Sequence, residues 1–402
     1  MSVSNKRRNT IDYDVTIVGG GMVGLALAAR LAPLDLSIAI VEPKPVQLQW
    51  PENDIDQRVS AITGASQELF QSVGAWQHIK DSEKSAYERM VVWDGESTRG
   101  EIEFDAGLIA EPNLGHIIEN RVLRRALYQS VEAQRNIEWL CPQKCQSVEY
   151  HEEYAELTLG SDERLKSRLL VAADGAFSWL RKASGIGLKQ QAYGHKAIVC
   201  TIKTEESHLS TAWQRFDHDG PLAFLPLADE HTCSIVWSVK EECANELLQL
   251  PAEEFTERLS QRFEQRLGKV SLLSEVVAFP LFERTTEQMV AERLALIGDA
   301  AHTIHPLAGQ GVNLGFADAV ELVKAIENSL QRDADIGAKH RLRPFERARK
   351  TDTKNMQLAM MGFKQLFEQE VPMIQMARSY GLALTNRHPV LKQKLIRQAM
   401  GI

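Results

Sequence analysis

The chain lacks several features that would assign it to other classes of protein. No run of 18 apolar residues occurs among its 402 residues, which excludes a transmembrane helix. Basic residues are not in excess, since 46 Lys and Arg against 54 Asp and Glu give a net charge of -8. No basic stretch is interleaved with aromatic residues either, so we expect no nucleic-acid partner. Asp12 and Asp14 follow the basic start without a cleavage site, and we therefore expect a cytoplasmic protein without a signal peptide.

Cysteine is also scarce. The five cysteines are an odd number without CxxC spacing, and no histidine cluster accompanies Cys141 and Cys145. This pattern favours plain thiols in a reducing compartment and predicts no metal site. The rest of the composition, with 44% hydrophobic and 25% charged residues, is typical of a globular protein of two or three domains.

A glycine-rich signal lies near the N-terminus. The apolar run Val15–Val18 ends at GGGMVG, residues 19–24, and residues 22–31 have helical composition. A second β-like run, Ser37–Val41, is closed by Glu42. The order strand, tight turn, helix, strand and acid is the setting that a dinucleotide-binding GxGxxG motif requires. The alternative is a glycine-rich turn without a ligand.

Each residue of this first motif has an expected role. Gly19 permits the turn, Gly21 lets the backbone approach a pyrophosphate, and Gly24 lets helix and sheet pack closely. Glu42 is placed to accept hydrogen bonds from an unphosphorylated ribose, which indicates FAD or NAD. Arg58 follows a proline-containing loop and is interpreted either as a pyrophosphate ligand or as an ordinary surface salt bridge.

A second signal, Gly298–His302, follows a buried β-like run and continues to a helix that we expect to end near Leu330. Asp299 can accept hydrogen bonds from the hydroxyls of a ribityl chain. The helix N-terminus would direct free N–H groups and a positive dipole at a reduced flavin. The two distant signals together indicate FAD, against a loop plus N-cap as the alternative. For His302 and His305 we favour packing or loop hydrogen bonding over a metal or a base. The predicted ring-framing residues are Pro306, Gly309, Gln310, Gly311, Val312 and Asn313.

A third apolar run, residues 169–173, ends at Asp174 and Gly175. Alone it is only a strand-to-turn transition. Beside a bound dinucleotide, Asp174 could order the cleft where the cofactor meets a second nucleotide. Ser178 and Arg181 follow at an expected helix start.

Three motifs in order, GGGMVG at 19–24, ADGAFSWLR at 173–181 and GDAAHTIHPLAGQGVNLG at 298–315, resemble the class A flavoprotein aromatic monooxygenases of the p-hydroxybenzoate hydroxylase group. Within that group the chain is most similar to the ubiquinone-biosynthesis hydroxylases. The branch that acts on 2-polyprenylphenol at ring position C5 fits best, with the C1 and C6 branches as competitors. The closer marks are RVSAI at 58–62, LGHIIEN at 114–120 and AFLPL at 223–227.

The resemblance implies an α/β (α+β) fold in which a Rossmann-like FAD-binding domain is interleaved with a mixed β-sheet substrate domain. The FAD-binding domain would comprise residues 12–75, 112–185 and 283–340, and the substrate domain residues 76–111 and 186–282. Residues 341–402 would form a C-terminal helical region. Phe224, Leu225, Pro226 and Trp237 are candidates either for the substrate pocket or for the core.

The resemblance also implies the chemistry. NAD(P)H would reduce the flavin, O₂ would form a C4a hydroperoxide, and the ring of a polyprenylated phenol would be hydroxylated. No general base is singled out among Tyr193, His195 and His116. By motif, Gly19, Gly21, Gly24, Glu42 and Arg58 would hold the ADP half of FAD. Asp174 and Gly175 would serve both nucleotides, and Asp299 with the 306–313 stretch would frame the ribityl chain and ring.

The C-terminal tail adds a separate indication, since residues 371–402 contain five Lys or Arg and no Asp or Glu. Upstream, Met356, Met360, Met361, Phe363, Leu366 and Phe367 predict an apolar helical face. Such a surface could dock on the inner membrane or a ubiquinone-biosynthesis complex, or pack on its own domain. A homo-oligomer is left open. The competing functions are a flavin hydroxylase of another aromatic and, from a different class, a non-catalytic binder of prenylated ligands.

Overall fold

Strands and helices alternate from Tyr13 onward in the computed structural model, which describes residues 11–51, 54–95, 100–216, 218–303, 311–368, 380–381 and 384–401. Short apolar runs that end in glycine or acidic residues form the strands, as in Tyr13–Val18 and Ile38–Val41. The strands are β1 Tyr13–Val18, β2 Ile38–Val41, β3 Val59–Ile62, β4 Lys84–Tyr87, β5 Arg89–Asp94, β6 Glu101–Asp105, β7 Gly115–Glu119, β8 Ile137–Leu140, β9 Cys145–Tyr150, β10 Ala155–Leu159, β11 Arg164–Ala172, β12 Leu188–Thr204, β13 Thr211–Phe216, β14 Leu222–Pro226, β15 Thr232–Lys240, β16 Val270–Leu272, β17 Val277–Thr286, β18 Val290–Ala291, β19 Leu294–Leu296 and β20 His302–Thr303.

Helices occupy many of the connections, and α-helices are the main elements described after residue 311. Residues 22–31 and 311–330 are helical, as their composition predicts. The helices are α1 Met22–Leu31, α2 Gly64–Ser72, α3 Asn120–Glu132, α4 Trp179–Ala183, α5 Glu241–Leu247, α6 Ala252–Arg262, α7 Gly311–Leu330, α8 Lys339–Glu368 and α9 Pro389–Met400.

The first sheet is built around five parallel strands in the order β19-β11-β1-β2-β8. Its central strands are apolar on both faces, and Val15 and Ile17 are fully buried. Burial on both faces is expected of a parallel sheet that helices cover on each side. Helix α1 supplies part of that cover and packs against α3 and α7.

The second sheet is mixed, with the order β20-β17-β12-β15-β14-β13-β5-β6. Residues 197–203, 212–216, 222–226 and 232–238 lie within β12 to β15, and residues 89–94 and 101–105 join the same sheet. A third, three-stranded sheet has the order β3-β7-β4. The α/β fold class that the sequence predicts is therefore confirmed, while the exact domain boundaries stay a prediction.

Two separate cores accompany the two large sheets. One surrounds the parallel sheet and includes Leu25, Ile40 and Phe316. The other lies under α5 and α6 and includes Trp93, Phe224 and Trp237. Within the described residues, none of the helices combines the length and the apolar character needed to cross a bilayer.

Candidate cofactor-binding site

The three sequence motifs meet at one edge of the parallel sheet. Val18 pairs with Val41 on one side and with Ala172 on the other. Ala172 pairs in turn with Leu296 on β19. Because these strands are parallel and in register, their carboxyl ends lie side by side, where ligands bind in open α/β sheets. The residues brought together are 19–24, Glu42, 173–175 and 297–299.

The first motif is shaped by close backbone packing. Gly19 has φ 110°, and a Cβ there would lie 2.4 Å from the carbonyl oxygen of Ala173. A Cβ at Gly24 would lie 2.0 Å from the carbonyl oxygen of Gly19. At Gly21, by contrast, a Cβ would meet nothing within 4 Å. Gly19 and Gly24 are thus required by the protein itself, whereas Gly21 leaves open space in which a ligand can approach the backbone.

A cleft of ≈ 710 Å³ opens at this edge. Five basic side chains and two carboxylates line it, so the cleft is locally positive although the whole chain has a net charge of -8. A positive cleft attracts a pyrophosphate, and arginines can hold one with paired hydrogen bonds. These lining residues are Lys44, Arg58, Arg121, Arg124 and Lys144 on the basic side and Glu42 and Asp174 on the acidic side.

The opposite edge of the sheet also carries a cavity, of ≈ 830 Å³. It lies at the amino ends of the strands and is lined by carboxylates such as Asp12, Asp14 and Asp335. Although it is the larger of the two, its carboxylates would repel a pyrophosphate. The positive cleft is therefore the candidate dinucleotide site.

Glu42 is already engaged by the protein. Its Oε2 accepts a hydrogen bond from the N–H of Gly20 at 2.7 Å, and its Oε1 accepts one from the N–H of Lys44 at 3.1 Å. Arg124 Nη2 lies 3.5 Å from Oε1. These contacts fix the carboxylate at the end of β2 and connect it to the glycine turn. Its predicted bond to a ribose is untested.

Arg124 and its neighbours are site residues that the sequence reasoning missed. Arg124 Nε donates to the carbonyl oxygen of Gly20 at 2.9 Å. Arg121, in the first turn of α3, pairs with Asp54 at 2.6 Å and with Glu119 at 2.7 Å. A cation in the first turn opposes the helix dipole. An arginine at this position, directly after the apolar pair Ile117-Ile118 and the acid Glu119, was the signal that could have found them.

Arg58 lies at the mouth of the cleft, with its guanidinium 5.5 Å from the centroid of the Phe279 ring. The surface salt bridge considered as its alternative role is absent, since the guanidinium makes no ion pair or hydrogen bond within the described part of the chain. Its charge also partly opposes the rise that burial causes in the pKa of Asp299. Arg58 is thus a cation available to a ligand.

Asp174 has one engaged oxygen and one unpaired oxygen. Oδ2 accepts hydrogen bonds from the N–H groups of Trp179 and Leu180, at 2.7 and 3.1 Å, and so caps helix α4. Oδ1 is buried and has no hydrogen-bond partner among the described residues. A buried unpaired acceptor costs about 1–3 kcal/mol, so a donor such as a ribose hydroxyl would be stabilising there.

Arg181 links this motif to the second glycine motif. Its side chain is 1% exposed, and Nη1 donates to the carbonyl oxygen of Ala300 at 2.9 Å. Nη2 donates to the carbonyl oxygen of Ala176 at 3.1 Å. The arginine thereby holds the turn that contains Asp299 against the turn that follows Asp174.

Asp299 is exposed to solvent yet surrounded by protein on most sides. Burial raises the pKa of its carboxyl, and His302, Arg58 and Arg284 only partly oppose that rise. A concave setting of this kind suits a carboxylate that accepts hydrogen bonds from ligand hydroxyls. Its predicted contact with a ribityl chain stays a prediction.

Below Asp299 lies a buried ionic cluster of His302, Asp318 and Arg349. Asp318 is 0% exposed, and its Oδ2 lies 2.7 Å from His302 Nε2 while its Oδ1 accepts from Arg349 Nε at 2.6 Å. Oδ2 also accepts from the N–H of Gly298 at 2.8 Å, which fixes the start of the second motif. His302 thus lies buried in an ion pair with Asp318, a role that the expected packing or loop hydrogen bonding did not include.

Opposing effects set the pKa values in this cluster. Burial raises the pKa of Asp318, but the charges of His302 and Arg349 outweigh it and hold that pKa below its usual range. Burial likewise lowers the pKa of His302, but Asp318 outweighs it and the pKa is raised. The cluster therefore favours the charged forms of both side chains.

Asn313, near the start of α7, is used by the protein as a brace. Its Oδ1 accepts from Ser66 Oγ at 2.7 Å, and its Nδ2 donates to the carbonyl oxygen of Ala61 at 2.8 Å. The predicted cofactor contact of Gly311, Val312 and Asn313, through backbone N–H groups at the start of α7, stays a prediction. Pro306, Gly309 and Gln310, with His305, lie outside the described residues.

The candidate substrate-pocket residues divide between two faces of the second sheet. Phe224 stacks on Phe263 with ring centroids 3.6 Å apart, and Trp237 belongs to the same buried core under α5 and α6. Leu225 points to the other face, into a cluster with Ile117 and Met400. For Phe224 on β14 and Trp237 on β15 the structure therefore favours a core role, in line with the alternation of side chains along each strand.

These observations fit a dinucleotide such as FAD. The cleft is positive, Gly21 leaves space for a phosphate, Asp174 has an unpaired buried oxygen, and Arg58 is unengaged. No cluster of metal-ligating side chains occurs in the parts of the chain that the structure covers. The five cysteines, all within the described ranges, are free thiols.

Comparison with known proteins gives a consistent result. A family model described as FAD binding domain matches residues 12–352. The 3-demethoxyubiquinol 3-hydroxylase of Escherichia coli (strain K12) is 34% identical over 389 residues, which cover 97% of this chain and 98% of that protein. Ubiquinone hydroxylase UbiL of Rhodospirillum rubrum is 32% identical over 388 residues, covering 96% and 89%.

A solved structure supports the fold. The p-nitrophenol 4-monooxygenase PnpA of Pseudomonas putida DLL-E4 superimposes with a TM-score of 0.77 at 16% identity, over 96% of this chain and 98% of that one. At this identity the likeness speaks for the fold alone. It agrees with the p-hydroxybenzoate hydroxylase-like architecture that the motifs predict.

Proposed function

The chain belongs to the FAD binding domain family, and on that premise we propose that it hydroxylates the aromatic ring of a polyprenylated phenol in ubiquinone biosynthesis, at C5. It is a FAD-dependent aromatic monooxygenase, as its relatives and its fold agree. Because the chain is a monooxygenase, the alternative function of a non-catalytic binder of prenylated ligands is excluded. The observation that carries the proposal is the meeting of three motifs at one sheet edge, beside a positive cleft.

The residues that would hold FAD follow from their positions in the cleft. Arg58 and Arg124 would neutralise the pyrophosphate, which would lie against the backbone at Gly21. Glu42 would meet the adenosine ribose and Asp299 the ribityl hydroxyls. When bound, FAD supplies the oxygen-transfer chemistry, with NAD(P)H and O₂ as co-substrates.

The contribution of the chain is orientation, charge and exclusion of water. The N-terminus of α7 would direct N–H groups and a positive dipole at the flavin ring. That dipole contributes about 0.3–1 kcal/mol, or up to ~2 kcal/mol when it is partly buried. The cluster of His302, Asp318 and Arg349 fixes the Gly298 turn below, so Asp299 is held without reorganisation when the ligand binds.

A second ring position is favoured by one observation. The Escherichia coli relative, 34% identical along 97% of this chain, is named for hydroxylation of a demethoxyubiquinol. Hydroxylation at C6 of a demethoxylated intermediate is therefore the competing assignment. Both assignments use the same cleft and differ only in the substituents of the ring.

The test is the profile of quinone intermediates, by mass spectrometry, in cells that lack this protein. The cells are complemented with the wild type, with Asp299→Ala, or with Glu253→Ala, which removes an exposed carboxylate on α6. For C5 hydroxylation we expect accumulation of 2-polyprenylphenol or of its C4-hydroxylated product. Wild type and Glu253→Ala should relieve it, and Asp299→Ala should not.

The other outcomes are equally informative. Accumulation of a demethoxyquinone would move the assignment to C6. An unchanged profile would overturn the ubiquinone proposal and leave a flavin monooxygenase of another aromatic. Full relief by Asp299→Ala would remove Asp299 from the proposed cofactor site.

A further inference from the structure

Helix α9, Pro389–Met400, has an inner face that packs on the protein and an outer face that is apolar and exposed. Lys392, Ile396 and Met400 are buried at helical spacing. Gln393 Nε2 donates to the carbonyl oxygen of Leu108 at 2.9 Å, which anchors the helix. On the outer face Val390 is 80%, Leu391 45% and Leu395 38% exposed.

The same outer face is basic. Lys394 and Arg397 are exposed on α9, and Arg387 is exposed just before it. Residues 371–402 contain no Asp or Glu, in a chain whose net charge is -8. Basic charge is thus concentrated beside exposed apolar side chains.

Two carboxylates of the neighbouring strand β6 are paired with arginines outside α9. The backbone N–H of Glu103 donates to Asn386 Oδ1 at 3.3 Å, which brings β6 against the segment. Glu103 pairs with Arg89 at 3.7 Å, and Glu101 pairs with Arg266 at 2.8 Å. Among the described residues, the side chains of Lys394 and Arg397 make no ion pair or hydrogen bond, so their charges are free to meet an external anion.

We propose that the outer face of α9 binds the surface of an anionic bilayer. Val390, Leu391 and Leu395 would enter the boundary between headgroups and acyl chains, and Lys394 and Arg397 would meet lipid phosphates. A second copy of the chain fits less well, because a two-fold dimer places the same positive patch on both partners. This inference rests on α9 alone and does not depend on the proposed substrate.

The contacts of the inner face of α9 show which part of the protein would lie next to the membrane. Ile396 and Met400 belong to a buried cluster with Ile117 and Leu225, which joins α9 to β7 and β14. The bilayer would therefore lie against the layer next to the second sheet. The cofactor cleft, at the strand ends of the first sheet, has none of the α9 residues in its lining.

The experiment is flotation of the full-length, FAD-loaded protein with vesicles. One set consists of phosphatidylcholine and the other of phosphatidylcholine mixed with phosphatidylglycerol. Two double variants, Val390→Ser/Leu391→Ser and Lys394→Gln/Arg397→Gln, test the apolar and the basic part. The control Leu248→Ser/Leu273→Ser removes two leucines that are 40% and 46% exposed elsewhere.

We expect the wild type and the control to float with the anionic vesicles and to be released by salt. Each basic residue near an anionic surface contributes about 1 kcal/mol, a factor of about five, so the Lys394/Arg397 variant should bind ~25-fold more weakly. Val390→Ser/Leu391→Ser should also lose binding, with unchanged FAD content and melting temperature.

Three results would overturn the proposal. They are equal binding to both kinds of vesicle, binding unchanged in both α9 variants, and no binding by the wild type. Sedimentation of each protein without lipid is run in parallel. A dimer that the α9 variants dissociate would assign the face to a second copy of the chain instead.

Discussion

The two glycine-rich regions of this protein meet at one cleft but are held in place by different forces. The first, residues 19–24, is fixed by close backbone packing, with Gly24 against the carbonyl oxygen of Gly19. The second, which begins at Gly298, is fixed by the charges of His302, Asp318 and Arg349. Substitutions in the first region should therefore change the free energy of unfolding according to the size of the new side chain. In the second region the free energy of unfolding should depend on charge and pH.

The difference has a physical cause. The first motif lies between strand and helix ends that the parallel sheet itself places, so only the absence of a Cβ is needed. The second must join the end of β19 to α7 and α8, which no shared backbone ladder connects, and a buried carboxylate can serve all three at once. Burying these charges is costly, so the cluster is stable only while all its members are present.

The largest effect is expected from Asp318→Asn. The change leaves His302 and Arg349 buried without their counter-charge, so we expect a loss of about 3–5 kcal/mol in the free energy of unfolding. Urea denaturation measures it. The control is Asp352→Asn, which removes the 60% exposed partner of Arg349 and should cost about 0–1 kcal/mol. Equal losses in both variants would contradict the importance of the buried cluster.

A smaller loss in the free energy of unfolding, about 1–3 kcal/mol, is expected from Gly24→Ala. The new Cβ would lie 2.0 Å from the carbonyl oxygen of Gly19. Gly21→Ala is the matched variant, since its Cβ meets nothing within 4 Å. It should keep the unfolding free energy of the FAD-free protein and weaken FAD binding. Unfolding and FAD titration of both variants separate the two roles, and a stability loss at Gly21 would break the comparison.

The pH dependence of the free energy of unfolding should also distinguish the two glycine-rich regions. The pKa of His302 is raised in the folded protein. Its contribution to the free energy of unfolding is therefore fully present below the pKa of the unfolded state, near 6.5, and is lost as the pH rises through the pKa of the folded state. The slope cannot exceed about 1.4 kcal/mol per pH unit. In His302→Gln that alkaline loss should disappear from urea unfolding curves.

His116 provides the opposite sign in the same measurement. Burial lowers its pKa to about 4, so it destabilises the fold as the pH falls from 6.5 towards 4. His116→Leu should therefore reduce the acid-side loss and leave the alkaline side unchanged. If His302→Gln altered only the acid side, the assignment of the raised pKa would be wrong.

The smallest effect on stability is expected from Arg58→Gln, because its guanidinium makes no ion pair or hydrogen bond within the described residues and contacts only the Phe279 ring. The unfolding free energy of the FAD-free protein should stay within about 0.5 kcal/mol. FAD affinity should fall about tenfold or more, the value of one charge-assisted hydrogen bond. Fluorescence titration with FAD measures it, and unchanged affinity would remove Arg58 from the proposed site.

Local elements of the fold were predictable because each depends on neighbouring residues. The apolar run 15–18, the helical stretch 22–31 and the helix starting at Gly311 all form as their patterns indicate. The role of Arg124 was not predictable from the sequence, because only the packing of α3 brings this side chain to Gly20 and Glu42. The bonds of the Asn313 side chain to Ala61 and Ser66 were not predictable either, because these partners lie far away in sequence. Its predicted cofactor contact stays a prediction.

By itself the sequence determined the fold class, the three motifs and the cofactor, because glycine spacing, apolar runs and closing acids act over a few residues. Only the tertiary structure decided how the second motif is held, since Asp318 and Arg349 are 31 residues apart and lie on different helices. The same holds for the exposed face of α9, where burial of Ile396 and Met400 decides which side chains point outward. Long-range packing and desolvation set these features, and no short pattern in the chain encodes them.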